Sequence, residues 1–329
     1  MSAERGGLLL VTGSSGFIGG RLTSRLASLG LPVRATSRRS PARVPDGAEF
    51  LPADIGDRDS LSRLLDGVRC VVNVAGQLGD PGAKVRDHIR ANVEGPLNLI
   101  EEAATSGCER FVHVSTVGLL GGTGPRPAPE DAPPRPVSLY ERTKWQGEVA
   151  VLEAGRRLAM PVTVIRPALV YGPGDRHLLP LFRAVRSPFC VLIGGGRAMT
   201  HPVHVDDVVE ALRITALSPE PVEGVYHIAG ERPVSFRELL AGIAAAVGVR
   251  PPRLSVPSGA AHLAAAAAEI AFRPFGLKPP LTRQQVSALT TDRVFDISRA
   301  RQRLGWRPLV SLEEGLALTV EWYRAHDLL

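Results

Sequence analysis

Cysteine is scarce in this sequence, which contains three cysteines among 329 residues. Cys70, Cys108 and Cys190 are widely spaced, and no two of them form a Cys-x-x-Cys pair. The odd count and the wide spacing argue against a disulfide framework and against a zinc site. We therefore expect reduced thiols, no bound metal and a cytoplasmic protein.

Aromatic residues are also few, at 5% of the chain, although the formal net charge is +6. The arginines are scattered along the sequence and form no basic stripe with aromatic rings between its charges. Surfaces that bind nucleic acids usually combine a clustered basic patch with such rings. The excess of positive charge therefore indicates an anionic cofactor or an anionic lipid, and no nucleic-acid partner is expected.

No apolar run is long enough to cross a bilayer, and the first residues lack the pattern of a signal peptide. The longest alanine-rich stretch, 260–271, is interrupted by His262 and Glu269. An integral membrane span is therefore not expected. The stretch is interpreted as an apolar surface helix, a lid over a pocket, or a plain buried core helix.

Short apolar runs alternate with amphipathic segments through much of the chain. Buried strands are predicted at 8–12, 33–36, 49–53, 70–74, 111–115, 161–166 and 225–228. Helical spacing of apolar residues is found at 17–29, 60–65, 85–104 and 203–214. Continuous apolar strands separated by helices indicate a parallel sheet with helices on both faces. The predicted fold is therefore α/β, a Rossmann doubly wound parallel sheet with a smaller, mostly helical C-terminal substrate lobe.

The domain organisation is predicted from where this alternation stops. A loop rich in glycine and proline covers 121–136, and the pattern becomes irregular after Tyr171. We expect a dinucleotide-binding Rossmann domain over 1–170, to which 202–230 returns. Residues 171–201 and 231–329 are expected to form the substrate-binding lobe.

A glycine-rich loop joins the first predicted strand to the first helix. Gly13, Gly16 and Gly19 are spaced G-x-x-G-x-x-G. Glycine allows a tight turn and a close approach of the backbone to a pyrophosphate. The free N–H groups and positive dipole end of the following helix favour the phosphate charge. In this position the loop predicts a dinucleotide site, although a glycine loop alone can be only a tight turn.

The residues after the second strand distinguish NAD from NADP. An acidic side chain there would hold the ribose 2′-hydroxyl, but this chain has Ser37-Arg38-Arg39. Arginine forks suit a 2′-phosphate, so NADP is preferred and NAD is the alternative. The competing interpretation is that these arginines are solvated loop residues. Asp54, after the third strand, could bind the adenine amine or cap a turn.

Tyr140 and Lys144 are four residues apart and so lie on one helix face. A free tyrosine has a pKa of about 10, which is too high for a base at neutral pH. A nearby ammonium and a cationic nicotinamide ring favour the phenolate, so Tyr140 can exchange a proton with an alcohol or a ketone. A hydroxyl of Ser115 or Thr116, at the end of the fifth strand, can hydrogen-bond the substrate oxygen. A surface helix pair and ordinary strand-end residues are the alternatives.

Taken together, these motifs resemble the extended short-chain dehydrogenase/reductases, also called the NAD-dependent epimerase/dehydratase group. The matching segments are 12–19, 54, 73–75, 92–95, 114–116, 140–144, 165–173 and 203–207. The resemblance implies Tyr140 as the proton-transfer residue, Lys144 as its partner and Thr116, in preference to Ser115, as the hydroxyl donor. It also implies a dimer through helices of the Rossmann domain. The cofactor site is expected to contain Gly13, Ser15, Gly16, Phe17, Ile18, Arg38, Asp54, Ile55, Val74, Ala75, Asn92, Tyr140, Lys144 and Pro167.

The branch of the family is inferred from one departure and two likenesses. Nucleotide-sugar epimerases usually carry an arginine before the Val-Asp-Asp motif, where this chain has Thr200 and a displaced Arg197. Residues 291–308 look like the branch that contains the 3β-hydroxysteroid dehydrogenases. In that branch an apolar helix lines or covers a lipophilic pocket, as 260–275 would here. His201 and His204 are expected to be structural histidines.

The leading hypothesis is an NADP(H)-dependent oxidoreductase that interconverts a secondary alcohol and a ketone on a small, lipophilic substrate. The alternative is a nucleotide-sugar epimerase or dehydratase whose NAD is regenerated in each cycle. A non-catalytic dinucleotide sensor is a third class. Such sensors often lack the tyrosine or the lysine, and this chain keeps both Tyr140 and Lys144.

Overall fold

Strands and helices alternate along the chain in the computed structural model, which describes residues 7–40, 43–78, 84–273, 277 and 281–329. The strands are β1 (Leu8–Thr12), β2 (Val33–Thr36), β3 (Ala48–Phe50), β4 (Val68–Asn73), β5 (Arg110–Val114), β6 (Val162–Pro167), β7 (Leu169–Tyr171), β8 (Leu192–Ile193), β9 (Met199–Thr200), β10 (Pro202–His204), β11 (Gly224–Ile228), β12 (Val234–Ser235) and β13 (Ser255–Val256). The α-helices are α1 (Phe17–Ser28), α2 (Leu61–Leu65), α3 (Val85–Ile89), α4 (Gly95–Thr105), α5 (Leu139–Leu158), α6 (Leu179–Arg186), α7 (Val205–Leu217), α8 (Phe236–Val247), α9 (Ser258–Phe272), α10 (Arg283–Thr290), α11 (Ser298–Arg303) and α12 (Leu312–Ala325).

A seven-stranded parallel sheet forms the centre of the molecule, in the order β11-β6-β5-β4-β1-β2-β3. The chain builds outward from β1 through β2 to β3 and then returns to β4 on the other side of β1. This reversal is a topological switch point, beside which doubly wound folds bind their ligands at the carboxyl ends of the strands. The predicted Rossmann architecture is confirmed.

Helices cover both faces of this sheet. Alternate residues along a strand point to opposite faces. Val11 and Val72 belong to a core shared with α1 and α7, whereas Leu10 and Val71 belong to a core shared with α2, α4 and α5. Because both faces are buried, the strands are apolar at consecutive positions, which is the pattern that the sequence shows.

Three predicted elements differ from the observed ones. The strand expected at 49–53 ends at Phe50, two residues before Pro52, which has no N–H to donate to a neighbouring strand. The helix expected from residue 203 begins at Val205, because Pro202–His204 pairs with β7 instead. The helix expected at 85–104 is interrupted between α3 and α4 by a π-helical turn, Arg90–Glu94.

The C-terminal elements build a second core. Phe182 of α6, Ile243 of α8 and Tyr323 of α12 are fully buried in it. Short strand pairs, β7 with β10, β8 with β13 and β9 with β12, accompany these helices. Strand β11 returns to the central sheet beside β6. The division of the chain into two domains stays a prediction.

The alanine-rich stretch forms α9, and its buried residues are Ala261 and Ala265. It is therefore a surface helix, which excludes a plain core helix. Within the described ranges, no helix combines the length and the apolar character that a membrane crossing requires. Cys70, Cys108 and Cys190 are free thiols, as expected.

Candidate active site

The glycine-rich loop packs tightly between β1 and the start of α1. Gly13 has φ of 68°, and a Cβ atom there would lie 2.9 Å from the backbone of Ala75. A Cβ atom on Gly19 would collide with the Gly13 carbonyl. Helix α1 begins without a side-chain cap and without an acidic residue in its first turn. The start of α1 thus offers free N–H groups, tightly packed glycine backbone and no opposing charge. These features suit a pyrophosphate at this helix terminus.

The predicted cofactor residues follow the carboxyl ends of strands of the central sheet. Ser15 and Gly16 are exposed at the loop tip, while Pro167 is buried at the end of β6. The Phe17 ring lies beside Gly174, where a Cβ atom would be 3.3 Å from it. Parallel strands present their carboxyl ends at one edge, so the structure collects these residues there. Their contacts with a cofactor stay a prediction.

Arg38 and Asp54 have different surroundings at this edge. Arg38 is exposed after β2, and the described residues offer it no hydrogen bond or ion pair. Asp54 accepts the N–H of Gly56 at 3.0 Å and pairs with Arg90 at 3.2 Å. Asp54 is thus a turn cap with a cationic neighbour, whereas Arg38 is available to an anion.

A buried polar chain connects the ends of β1, β4 and β5. Thr12 Oγ1 accepts the N–H groups of Val74 and Ala75, each at 3.1 Å, and so donates its own proton to Asn73 Oδ1 at 2.7 Å. Asn73 Nδ2 then donates to His113 Nδ1 at 3.1 Å. The proton of this neutral imidazole therefore sits on Nε2. Burial, with the Lys144 charge, holds the pKa of His113 well below its usual value.

The π-helical turn places Asn92 against α5. Asn92 Oδ1 accepts the Gln77 N–H at 2.8 Å, and Nδ2 donates to the Gln77 carbonyl and to Thr143 Oγ1, both at 3.0 Å. Gly147 allows the approach, because a Cβ atom there would collide with the Asn92 carbonyl. Asn92 is fully buried and links the loop after β4 to the helix that carries Tyr140.

Tyr140 and Lys144 lie in the first two turns of α5. Ser138 caps this helix by accepting the Glu141 N–H at 3.1 Å, and the Glu141 carboxylate accepts the N–H groups of Val137 and Ser138 in return. Lys144 Nζ donates to the carbonyl of Val114, at the end of β5, at 2.6 Å. This bond fixes the ammonium at the carboxyl edge of the sheet.

Thr116 completes the predicted catalytic group. Its Oγ1 accepts the Gly118 N–H at 3.0 Å, and its hydroxyl lies close enough to the Tyr140 phenol to lower the pKa of that group. Ser115 is buried, and its Oγ has no hydrogen-bond partner among the described residues. The structure thus brings Thr116, and not Ser115, into contact with Tyr140.

Burial dominates the electrostatics of this group. It raises the pKa of Tyr140 to about 12, an effect that Glu141 strengthens and the Thr116 hydroxyl opposes. It lowers the pKa of Lys144 to about 8, against the attraction of Glu148. In the chain alone, loss of solvent around the phenol raises the tyrosine pKa. The expectation that the ammonium and the cationic nicotinamide favour the phenolate stays a prediction.

Arg293 reaches the site from the C-terminal part of the chain and was not predicted. The backbone N–H of Arg293 donates to the Met199 carbonyl at 2.8 Å. The backbone N–H of Met199 in turn donates to Asp292 Oδ1, also at 2.8 Å. These bonds hold the guanidinium 3.7 Å from the Glu141 carboxylate. No local motif signals this pair, because it joins distant parts of the sequence.

The position at which nucleotide-sugar epimerases usually carry an arginine is buried in this structure. Thr200 lies in β9 opposite Val234 and is 5% exposed. His201 donates from Nε2 to the Gly230 carbonyl at 2.9 Å and accepts the Phe295 N–H. His204 caps α7 by accepting the Asp206 N–H. Both histidines have structural roles, as predicted.

Comparisons with known proteins agree on one family. The model of the "NAD dependent epimerase/dehydratase family" matches residues 9–229. The chain is 31% identical to the UDP-glucose 4-epimerase of Mycolicibacterium smegmatis, with 96% of this chain and 98% of that protein covered. It is 29% identical to the 4-hydroxy-2-methyl-3-oxo-4-farnesyl-3,4-dihydroquinoline-1-oxide ketoreductase of Stigmatella aurantiaca, with 93% of each covered.

A third relative and a solved structure complete the comparison. The chain is 28% identical to the 3beta-hydroxysteroid-dehydrogenase/decarboxylase isoform 1 of Arabidopsis thaliana, with 83% of this chain and 66% of that protein covered. The structure of MoeE5 in complex with UDP-glucuronic acid and NAD superposes with a TM-score of 0.76 at 27% identity. The superposition covers 97% of this chain and 99% of the MoeE5 chain.

Proposed function

Because the chain belongs to the NAD dependent epimerase/dehydratase family, we propose that it interconverts a secondary alcohol and a ketone. Family membership confirms the resemblance to the extended short-chain dehydrogenase/reductases, and the 3β-hydroxysteroid dehydrogenase relatives fit the expected branch. The protein is accordingly an NAD(P)-dependent enzyme. We infer a small, lipophilic substrate and a preference for NADP(H).

The contact between Thr116 and Tyr140, with Lys144 one turn further along α5, carries this proposal. A bound nicotinamide supplies the hydride to the substrate carbon or accepts it. Tyr140 keeps its proton at neutral pH because its pKa is raised, so it can donate that proton to the carbonyl oxygen during reduction. The Thr116 hydroxyl hydrogen-bonds the same oxygen as charge develops.

Lys144 is a positioning and electrostatic partner in this proposal. Its ammonium is held at the strand edge by Val114, where the nicotinamide ribose of a bound cofactor would meet it. In the reverse direction Tyr140 must lose its proton. The lysine charge and the cationic ring of the oxidised cofactor then act together against the burial that raises the tyrosine pKa.

A lipophilic substrate is favoured over a nucleotide sugar by the second lobe. Thr200 replaces the expected arginine and is buried between strands, so it offers no cation to a diphosphate. Arg197 is exposed nearby but precedes this position in the chain. The ketoreductase of Stigmatella aurantiaca is a relative whose name gives a substrate that combines a ketone with a farnesyl chain. These observations support a ketone on an apolar skeleton.

An epimerase or dehydratase with self-regenerating NAD is the second candidate. It is favoured by the 31% identity to a UDP-glucose 4-epimerase over nearly the whole of both chains. The structural likeness to MoeE5 with UDP-glucuronic acid and NAD supports the same alternative. Thr116, Tyr140 and Lys144 would serve both reactions.

Titration of the purified protein with NADPH and NADH, followed by a panel of apolar ketones, separates the two candidates. Tighter NADPH binding and consumption of one NADPH for each ketone reduced are expected. A protein that arrives with tightly held NAD, shows no net consumption and converts UDP-glucose would contradict the oxidoreductase proposal.

A further inference from the structure

Helix α9 is apolar around most of its circumference, yet it lies on the surface. Such a helix is ordinarily buried inside a protein or in a membrane. Here Ala261 and Ala265 are buried, and they pack on Val286 of α10. Leu263 and Ile270 are 75% and 74% exposed. The helix therefore presents to its surroundings an apolar face that the described part of the chain does not cover.

From Ala260 to the end of the helix, the exposed residues of α9 form one continuous face. The residues are Ala260, Leu263, Ala264, Ala267, Ile270 and Ala271. At about 100° per residue they fall within a sector of roughly 120°. The two residues of the helix that can carry charge, His262 and Glu269, lie outside this sector. No polar side chain interrupts the face.

Positively charged residues flank α9 in the sequence. Arg250 and Arg253 precede α9, and Arg273 follows its last residue. All three are exposed, and no hydrogen bond or ion pair joins them to the described residues. Glu269, the single carboxylate of 250–273, is paired with Arg283 at 2.8 Å. Within 250–273, the three arginines thus have no partner among the described residues, whereas the one carboxylate is paired.

We propose that α9 docks on the surface of an anionic lipid bilayer. The apolar face enters the boundary between headgroups and acyl chains, with the helix axis in the membrane plane, and the three arginines contact anionic headgroups. A helix that lies in the interface need not cross the bilayer, so this agrees with the lack of a spanning helix among the described residues.

A second copy of the chain suits the face less well. Most homodimers have twofold symmetry, so the same patch would face itself across the interface. Such an arrangement would repeat in both copies the three arginines that flank α9, while Glu269, the one carboxylate of 250–273, already pairs with Arg283. Anionic lipid supplies the opposite charge instead.

Co-sedimentation of the full-length protein with vesicles tests the proposal. One set is phosphatidylcholine alone, and the other contains a third of phosphatidylglycerol. We expect binding to the anionic set, weakened by added salt. The triple change Arg250→Ala/Arg253→Ala/Arg273→Ala should weaken it by roughly two orders of magnitude. The control Arg63→Ala/Arg156→Ala/Arg307→Ala removes the same charge from exposed arginines elsewhere and should weaken it far less.

The apolar face is tested separately. Leu263→Gln/Ile270→Gln should weaken binding to anionic vesicles by more than about tenfold, because each change removes apolar area from the interface. Leu29→Gln/Leu309→Gln, at exposed leucines on other elements, is the matched control and should bind like the parent. Absence of vesicle binding by the parent protein overturns the proposal, as does a dimer in solution that only Leu263→Gln/Ile270→Gln dissociates.

Discussion

The Arg293 guanidinium lies 3.7 Å from the Glu141 carboxylate, directly beside Tyr140 in the sequence of α5. Glu141 raises the pKa of Tyr140, and Arg293 opposes that negative charge. Replacing Arg293 by Gln removes the opposing charge, so the tyrosine pKa should rise further. In the oxidation direction, where Tyr140 must ionise, we expect the alkaline rise of kcat to move to higher pH.

The control for this pair is Arg293→Lys, which keeps the positive charge and removes the planar guanidinium group. It should retain most of the parent's pH profile. If Arg293→Gln and Arg293→Lys have the same profile, the contact is structural and has no electrostatic effect on Tyr140. Unfolding by denaturant, measured for both variants, checks that the lobes remain folded.

Much of the fold follows from local pattern. The strands could be predicted because Leu10 and Val11 face two different buried cores, which makes consecutive positions apolar. Tyr140 and Lys144 could be predicted because their spacing is a property of one helix. The first and last residues of the helices and strands were harder to predict. For example, Pro202–His204 pairs with β7 before α7 begins.

What could not be predicted depends on contacts between distant segments. The π-helical turn arises where Asn92 bonds to Gln77 and Thr143, and its sequence resembles a plain helix. The pKa of Tyr140 depends on how the folded chain removes solvent from the ring, which spacing does not reveal. The exposure of α9 opposes its hydropathy, so composition alone could not distinguish a surface helix from a core helix.

Tyr140→Phe removes the proton donor and leaves the ring in place. We expect turnover to fall by about 10²- to 10⁴-fold, the usual contribution of a positioned general acid. NADPH binding, measured by fluorescence titration, should change little, because the phenol O–H is the only group lost. Full activity in this variant would refute the mechanism, whereas loss of NADPH binding would assign Tyr140 to the cofactor site.

Lys144 should make stability depend on pH in a definite direction. Its pKa falls from 10.5 in the unfolded chain to about 8 in the folded one. Between these values the unfolded state binds more protons, so the free energy of unfolding contributed by this group rises with pH, by at most about 1.4 kcal/mol per unit.

The measurement is denaturant unfolding of the parent and of Lys144→Met at several pH values between 8 and 10.5. The difference between the two proteins removes the opposing effect of the buried thiols and tyrosines, which are present in both. The parent should gain stability relative to Lys144→Met as pH rises. A constant difference would mean that Lys144 is not desolvated in the folded protein.

Arg38 is exposed and has no partner among the residues that the structure describes, so its loss should change cofactor choice more than stability. Arg38→Ala should weaken NADPH binding by roughly 10- to 100-fold, the loss of a charge-assisted contact to a 2′-phosphate. NADH binding in the same variant is the internal control and should stay within about twofold. Equal weakening for both dinucleotides would place Arg38 outside the phosphate site.

The buried chain from Thr12 through Asn73 to His113 makes a last prediction about stability. Replacing His113 by Leu removes the acceptor of the Asn73 N–H at 3.1 Å and leaves that amide buried without a partner. The free energy of unfolding should fall by about 1–3 kcal/mol, the cost of an unsatisfied buried donor. His177, which is exposed, provides the control His177→Leu, for which a change within about 0.5 kcal/mol is expected. Equal losses in the two variants would show that the hydrogen bond to Asn73 contributes nothing to stability.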